Sequence, residues 1–193
     1  IVLHGCCQNP TGIDYTREEQ AAIVDLIAKK NLLPIVDTAY LGFGEGFEED
    51  ATFLRAVLER IPETLVAISF SKNMGLYRDR LGVCFALTDQ PEQVSTLQSS
   101  LVSIARTAYS MPPDHPASAV KIVLESPKLR DDWMTELNAQ RGHINANRAV
   151  FAERLSAQGF DSAYIRGGNG MFCLLPLDTA AMDTLRDDKA VYI

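Results

Sequence analysis

Polar side chains of unlike chemistry stand where apolar, strand-like runs end. His4 and Asn9 follow "IVL", Asp37 and Tyr40 close "LLPIVDTAY", and Ser69, Ser71 and Lys72 close "TLVAISFSK", with Arg78 and Arg80 just beyond. A lysine ending a buried strand is costly unless its charge is paired, exposed or chemically used. Taken singly, each residue has an ordinary role: Asp37 as a turn cap, Tyr40 as a half-buried phenol, Asn9 before Pro10 as a turn residue, His4 as a satisfied core imidazole. Taken together, they are expected to meet. Ligands of open parallel α/β sheets bind at the carboxyl ends of the strands, so an amine, a carboxylate, a phenol, an amide and a guanidinium would share one rim.

That set suits pyridoxal 5′-phosphate. The cofactor needs a lysine for its aldehyde, an acid for its ring nitrogen, donors for its phenolic oxygen and a cationic, hydroxyl-rich cradle for its phosphate. A nicotinamide site is disfavoured, because no G-x-G-x-x-G opens the first helix, and a P-loop is also absent.

The elements that must position these groups alternate along the first half. "IVLHGCC" reads as a buried strand, and "TREEQAAIVDLIAKKN" as a helix with Thr16 and Glu19 as a capping box and Lys29 and Lys30 at its C-terminal end. "LLPIVDTAY" predicts a second strand, "DATFLRAVLERIP" a helix with Asp50 as N-cap, and "TLVAISFS" and "LGVCFALT" two more strands. This order predicts an α/β fold with a mostly parallel sheet and covering helices. The second half turns helical, with one long helix within 128–159 that exceeds ordinary globular length. "FDSAYIRG", "GMFCLLPL", a short helix at "TAAMDTLRDD" and a strand start at "AVYI" complete a small α+β lobe. The expected division is 1–139 and 140–193.

Bulk properties exclude other classes. A chain of 193 residues, 47% hydrophobic, can bury a sizeable core. Its net charge of −7 argues against nucleic acid or an anionic membrane as partner, and no apolar run reaches membrane-spanning length. The four cysteines form no C-x-x-C, so no metal is expected and buried thiols in a reducing cytoplasm are the simpler reading. The chain opens mid-run without methionine and stops in "KAVYI", so it is expected to be part of a longer protein.

Five motifs, "HGCCQNPTG", "DTAYLGFGEG", "SFSKNMGLYRDRLG", "ARTAYSMPP" and "GNGMF", span nearly the whole chain. In this order they resemble the class I (fold type I) aminotransferases, most closely the aspartate/aromatic subgroup. The resemblance implies a fold type I large domain with helices on both sheet faces, joined to part of a small domain. It implies that Lys72 bonds the cofactor aldehyde as a Schiff base and then moves the substrate proton, and that Asp37 keeps the pyridine nitrogen protonated. It further implies that His4 orients that aspartate, that Tyr40 and Asn9 bond the phenolic oxygen, and that Ser69 and Arg80 grip the phosphate. Arg106 would reach the partner subunit's site in a homodimer and bind the distal carboxylate of aspartate or glutamate, with Asn9 and Phe172 also facing substrate.

The implied reaction moves an amino group between an L-amino acid (aspartate, glutamate or aromatic) and a 2-oxo acid such as 2-oxoglutarate. Three positions depart from the family pattern: Gln8 replaces a histidine, Met111 an asparagine and Pro116 a glycine. Met111, near the side-chain pocket by analogy, would tilt preference toward apolar or aromatic substrates. The phosphate-binding loop and ring-stacking aromatic of the family fall before Ile1 and the α-carboxylate arginine after Ile193, so the 193-residue chain alone is expected to be inactive. Two competing readings are a non-catalytic scaffold of the same fold and a pyridoxal-phosphate lyase or decarboxylase.

Overall fold

The computed structural model describes residues 1–192. Strands β1 (Val2–His4), β2 (Ile35–Thr38) and β3 (Thr64–Ser69) lie side by side in chain order and run parallel, and β4 (Gly82–Leu87) joins β3 antiparallel. The register aligns Leu3, Val36 and Val66 on one rung and His4, Asp37 and Ala67 on the next. Successive side chains of a strand face opposite sides, so the first rung enters the core and the second faces away from it.

Helix α1 (Arg17–Lys30) carries the chain from β1 to β2, and α2 (Phe47–Asp50) and α3 (Thr52–Arg60) carry it from β2 to β3. Two crossovers of the same hand put α1 and α3 on one face of the sheet, where they pack together. Val24 and Ile27 of α1 and Phe53, Leu54 and Val57 of α3 are buried there against Leu3, Val36 and Val66. The ends of α1 follow the sequence signals. Thr16 Oγ1 accepts from Glu19 N at 3.2 Å while Glu19 Oε2 accepts from Thr16 N at 2.8 Å, and Lys29 and Lys30 sit in the last turn.

The start of α3 does not follow them. Asp50, expected as its N-cap, closes α2 instead, and α3 begins after Ala51 with no side-chain cap. The carboxylate is drawn to a loop with more unpaired donors. Its Oδ2 accepts from Gly42 N at 2.8 Å and Gly44 N at 3.0 Å, and its Oδ1 from Glu45 N at 2.9 Å and Gly46 N at 3.5 Å. Four N–H groups of a turn without ladder partners outcompete one helix end.

The second half is helical: α4 (Val94–Tyr109), α5 (Asp114–Glu125), α6 (Pro127–Ala157), α7 (Ala163–Gly167) and α8 (Thr179–Lys189). The long helix is a single rod of 31 residues, opened by Pro127 and by Ser126, whose side chain accepts from Leu129 N at 3.4 Å. Trp133, Met134 and Leu137 of α6 pack on Cys6, Tyr40, Leu41 and Phe43 at the carboxyl ends of β1 and β2. Farther along, α6 carries the buried Arg148 to α7 and the segment after it. The "FDSAYIRG" stretch supplies α7, and the "GMFCLLPL" stretch joins no sheet among the described residues. Where "AVYI" was expected to begin a strand, α8 ends at Ala190 in the left-handed region, with φ 52°. Ile193 lies outside the described residues. No described helix is long and apolar enough to cross a membrane.

Candidate active site

Part of the strand-end set meets: His4 bonds the Asn9 backbone, Asn9 the Tyr40 hydroxyl, and Lys72 lies over the Tyr40 ring. Lys72 lies three residues past the end of β3, half-buried, with Nζ 5.3 Å from the centroid of the Tyr40 ring and 5.4 Å from that of Tyr77. Two aromatic faces hold the ammonium by their ring quadrupoles. Among the described residues it makes no ion pair. A cavity of about 360 Å³ lies beside it, bounded by Asn73, Tyr77, Trp133, Gln140 and Met171.

Tyr40 is buried and follows β2 by two residues. Its hydroxyl oxygen accepts from Asn9 Nδ2 at 3.3 Å, so its own proton remains free to donate elsewhere. Phe172 packs edge-on against the same ring, with centroids 5.5 Å apart and planes at 84°. Asp37 Oδ1 accepts from Ala39 N at 3.0 Å, and Oδ2 meets no protein donor among the described residues.

His4 is the register partner of Asp37 across β1 and β2, which puts both side chains on the same sheet face. No hydrogen bond joins them. His4 Nδ1 accepts from the Asn9 backbone N–H at 3.1 Å instead, which places the ring proton on Nε2 and ties His4 to the loop bearing Asn9. Ser69, the last residue of β3, accepts through Oγ from Ser71 N at 3.2 Å. Arg80 is exposed, donates to the Tyr77 carbonyl at 3.0 Å and has φ 54°. A left-handed conformation away from glycine is strained, and such strain gathers at functional sites. Arg106 stands apart on α4, exposed beside the exposed Val102 and Tyr109, and makes no side-chain bond to the Lys72 group among the described residues.

The supporting bonds come from residues that the sequence reading passed over. Asp14 accepts from Cys7 N at 2.9 Å and Gln8 N at 3.0 Å, and its Oδ2 also receives Asn169 Nδ2 at 3.3 Å. This fixes the turn that carries Asn9 and ties it to the segment that carries Phe172. Arg148 braces that segment from α6, donating to Ile165 O at 3.1 Å, to Gly170 O at 3.1 Å and to the carbonyl of Phe172. Gly170, with φ 73°, lies so close to β1's exit that a Cβ there would meet Cys7 Cβ at 2.6 Å.

Cys6, Cys7 and Asp50 bring possible metal-ligand atoms within 4.8 Å of one another. Asp50 uses both oxygens on backbone donors, and a hydrogen bond to Cys7 together with burial pushes the Cys6 pKa upward.

Comparisons with known proteins match this geometry over the whole chain. The profile of the family described as aminotransferase class I and II covers residues 1–193. A tyrosine aminotransferase from Rhizobium meliloti is 41% identical over 193 residues, all of this chain and 50% of that protein. An aspartate aminotransferase from Haemophilus influenzae is 41% identical over 194 residues, again all of this chain and 49% of the relative. The crystal structure of an aromatic-amino-acid aminotransferase from Burkholderia pseudomallei, covalently bound to pyridoxal phosphate, superposes with a TM-score of 0.93 at 39% identity, over 100% of this chain and 49% of that one. The chain belongs to the class I and II aminotransferases and has their α/β fold, that of fold type I. It spans about half the length of the curated relatives it matches.

Proposed function

We propose that the whole protein is a pyridoxal-phosphate-dependent aminotransferase acting on aspartate, glutamate or aromatic amino acids, with a 2-oxo acid such as 2-oxoglutarate as acceptor. The observation that carries this reading is the Lys72 amine, 5.3 Å from the Tyr40 ring and without a salt-bridge partner among the described residues, while Asn9 holds the Tyr40 hydroxyl. The free groups complement the cofactor one by one: the unpaired amine its aldehyde, Asp37 Oδ2 its ring nitrogen, the Tyr40 proton its phenolic oxygen, Ser69 and Arg80 its phosphate.

When bound, pyridoxal phosphate supplies an aldehyde that condenses with amines and a cationic ring that takes up the electron pair of the broken Cα–H bond. The chain's residues do the rest. Lys72 Nζ would take the proton from the substrate Cα. Asp37 Oδ2 holds a proton at the ring nitrogen by charge-assisted hydrogen bonding. Asn9, locked by His4 and by the Asp14-bound turn, fixes the Tyr40 hydroxyl, and Phe172 packs edge-on against the Tyr40 ring.

Arg106 is assigned to the distal carboxylate of a dicarboxylic substrate in the partner subunit of a homodimer. Its exposure among apolar side chains of α4 supports that role. The division at 139/140 belongs to the same reading, since the early half of α6 packs on the strand ends and Arg148 in its later half braces 165–172. The buried free thiols Cys6 and Cys7 support a reducing, cytoplasmic setting.

The test is borohydride reduction of the full-length protein loaded with pyridoxal phosphate, followed by peptide mass mapping. An adduct on Lys72, with amino transfer from glutamate to an aromatic 2-oxo acid, is expected. An adduct on another lysine, or none, overturns the assignment.

A further inference from the structure

Lys72 lies outside the sheet, where no ladder bond fixes its backbone. β3 ends at Ser69, and the turn that follows has Gly75 N bonded to Lys72 O at 3.1 Å and Leu76 N to Phe70 O at 3.4 Å. A lysine side chain has four rotatable bonds, so the fold can set its reach only by setting the position of its Cα. The next residue does this. Asn73 is buried, and its carbonyl accepts from the indole Nε1 of Trp133 on α6 at 2.7 Å, across 60 residues of chain. Its side-chain Nδ2 donates to the carbonyl of Leu41 at 3.4 Å, and Leu41 is the residue after Tyr40. One asparagine therefore joins the backbone beside Lys72 to the backbone beside Tyr40. The indole ring also packs edge-on against Phe47, with centroids 5.5 Å apart and planes at 79°.

A packing role alone does not account for Asn73. Its Oδ1 is buried without a partner among the described residues, a cost that leucine or methionine would avoid in this apolar surround. What the amide gains is the bond between the two turns.

The geometry points to Trp133 and Asn73 as positioning residues for Lys72, a latch that sets the separation of its amine from the Tyr40 ring. This rests on the proposed role of Lys72. Neither residue touches the reacting atoms. Both act through backbone carbonyls, and a displacement of a fraction of an ångström at the amine is enough to lower the rate of a proton transfer.

The test uses the full-length protein loaded with pyridoxal phosphate. Trp133→Phe removes the N–H and keeps a ring beside Phe47, Asn73→Leu removes the amide, and Phe47→Leu loosens the same cluster while sparing both hydrogen bonds. Trp133→Phe and Asn73→Leu are expected to lower kcat about tenfold with little change in KM, as loss of orientation does. They are also expected to move the pH midpoint of the visible band of the Lys72-linked cofactor, with the borohydride adduct still on Lys72. Phe47→Leu should lower the thermal midpoint and change neither kcat nor the band. A band midpoint and kcat equal to the parent's in Trp133→Phe, or the same shifts in Phe47→Leu, overturn the latch. Should Trp133→Phe fail to fold, Asn73→Leu decides alone, and parental values there overturn it. Absence of any adduct in the parent overturns the role of Lys72 instead.

Discussion

The side-chain amide of Asn9 donates to the Tyr40 hydroxyl at 3.3 Å, joining the turn after β1 to the turn after β2. Because the oxygen is an acceptor in this bond, the phenolic proton is directed to whatever lies beyond it. Asn9→Ala should leave Tyr40 in place, with its hydroxyl free to rotate. Tyr40→Phe should remove the donor. In the full-length enzyme both changes are expected to lower kcat, Tyr40→Phe by about a hundredfold, the order found when one preorganised donor is removed. Both should also move the pH midpoint of the visible band of the bound cofactor. Stopped-flow kinetics and a spectrophotometric titration check this, and an unshifted midpoint in Tyr40→Phe would remove Tyr40 from the cofactor's phenolic oxygen.

Asp50 organises the loop that begins beside Tyr40. Four backbone N–H groups end on its two oxygens, and the side chain is buried. Asp50→Ala strands those donors, so a loss of about 3 kcal/mol or more is expected, since each unsatisfied buried donor costs about 1–3 kcal/mol. Asp50→Asn keeps one acceptor oxygen but replaces the other with a donor, and should be intermediate. Urea unfolding monitored by circular dichroism gives the ranking. Equal stability of Asp50→Ala and the parent would show the loop to be held by other contacts.

The grouping of Asn9, Tyr40 and Lys72 could be read in the sequence because two rules act together: apolar runs locate strands, and ligands gather at strand carboxyl ends. The capping box of α1 could also be read, because Thr16 and Glu19 sit three residues apart and signal locally. Asp50 was misplaced for the same reason. An acid ahead of a helical pattern has the same signature whether it caps that helix or turns back to clamp a loop four to eight residues earlier. The hydrogen bonds of Arg148 and Trp133 gave no signal. Their partners are carbonyls of residues 17 to 60 positions away, and a backbone carbonyl looks the same under every side chain. Arg106 was singled out by motif resemblance alone, and its proposed work lies in a second subunit.

Arg148 is 8% exposed, and its guanidinium meets three carbonyls of the segment 165–172. Arg148→Met fills much of the volume but leaves those carbonyls without donors, so a loss of about 3 kcal/mol is expected. Arg148→Lys should recover little, because a single ammonium cannot reproduce the fork that addresses several acceptors at once. Hydrogen exchange should show faster exchange at 165–172 in both variants while β1 to β3 stay protected. Uniformly faster exchange throughout the sheet would mean that Arg148 supports the whole core rather than this segment.

The Cys6 thiol supplies a pH dependence whose sign is fixed. A hydrogen bond to Cys7 and burial push its pKa upward from the ordinary 9.0, so the folded chain keeps a proton that the unfolded chain gives up in alkali. The resulting contribution to stability is complete below pH 9.0 and is lost as pH rises above it, by up to about 1.4 kcal/mol for each further unit. Cys6→Ala lacks this titration, so its stability should fall less steeply than the parent's between pH 9 and 10.5, whatever its offset at neutral pH. Denaturant unfolding of the two proteins at matched pH values measures the difference. A disulfide-exchange reagent should leave Cys6 unmodified in the native protein at pH 8. Parallel stability curves, or prompt modification of Cys6, would show that this thiol ionises as readily in the fold as outside it.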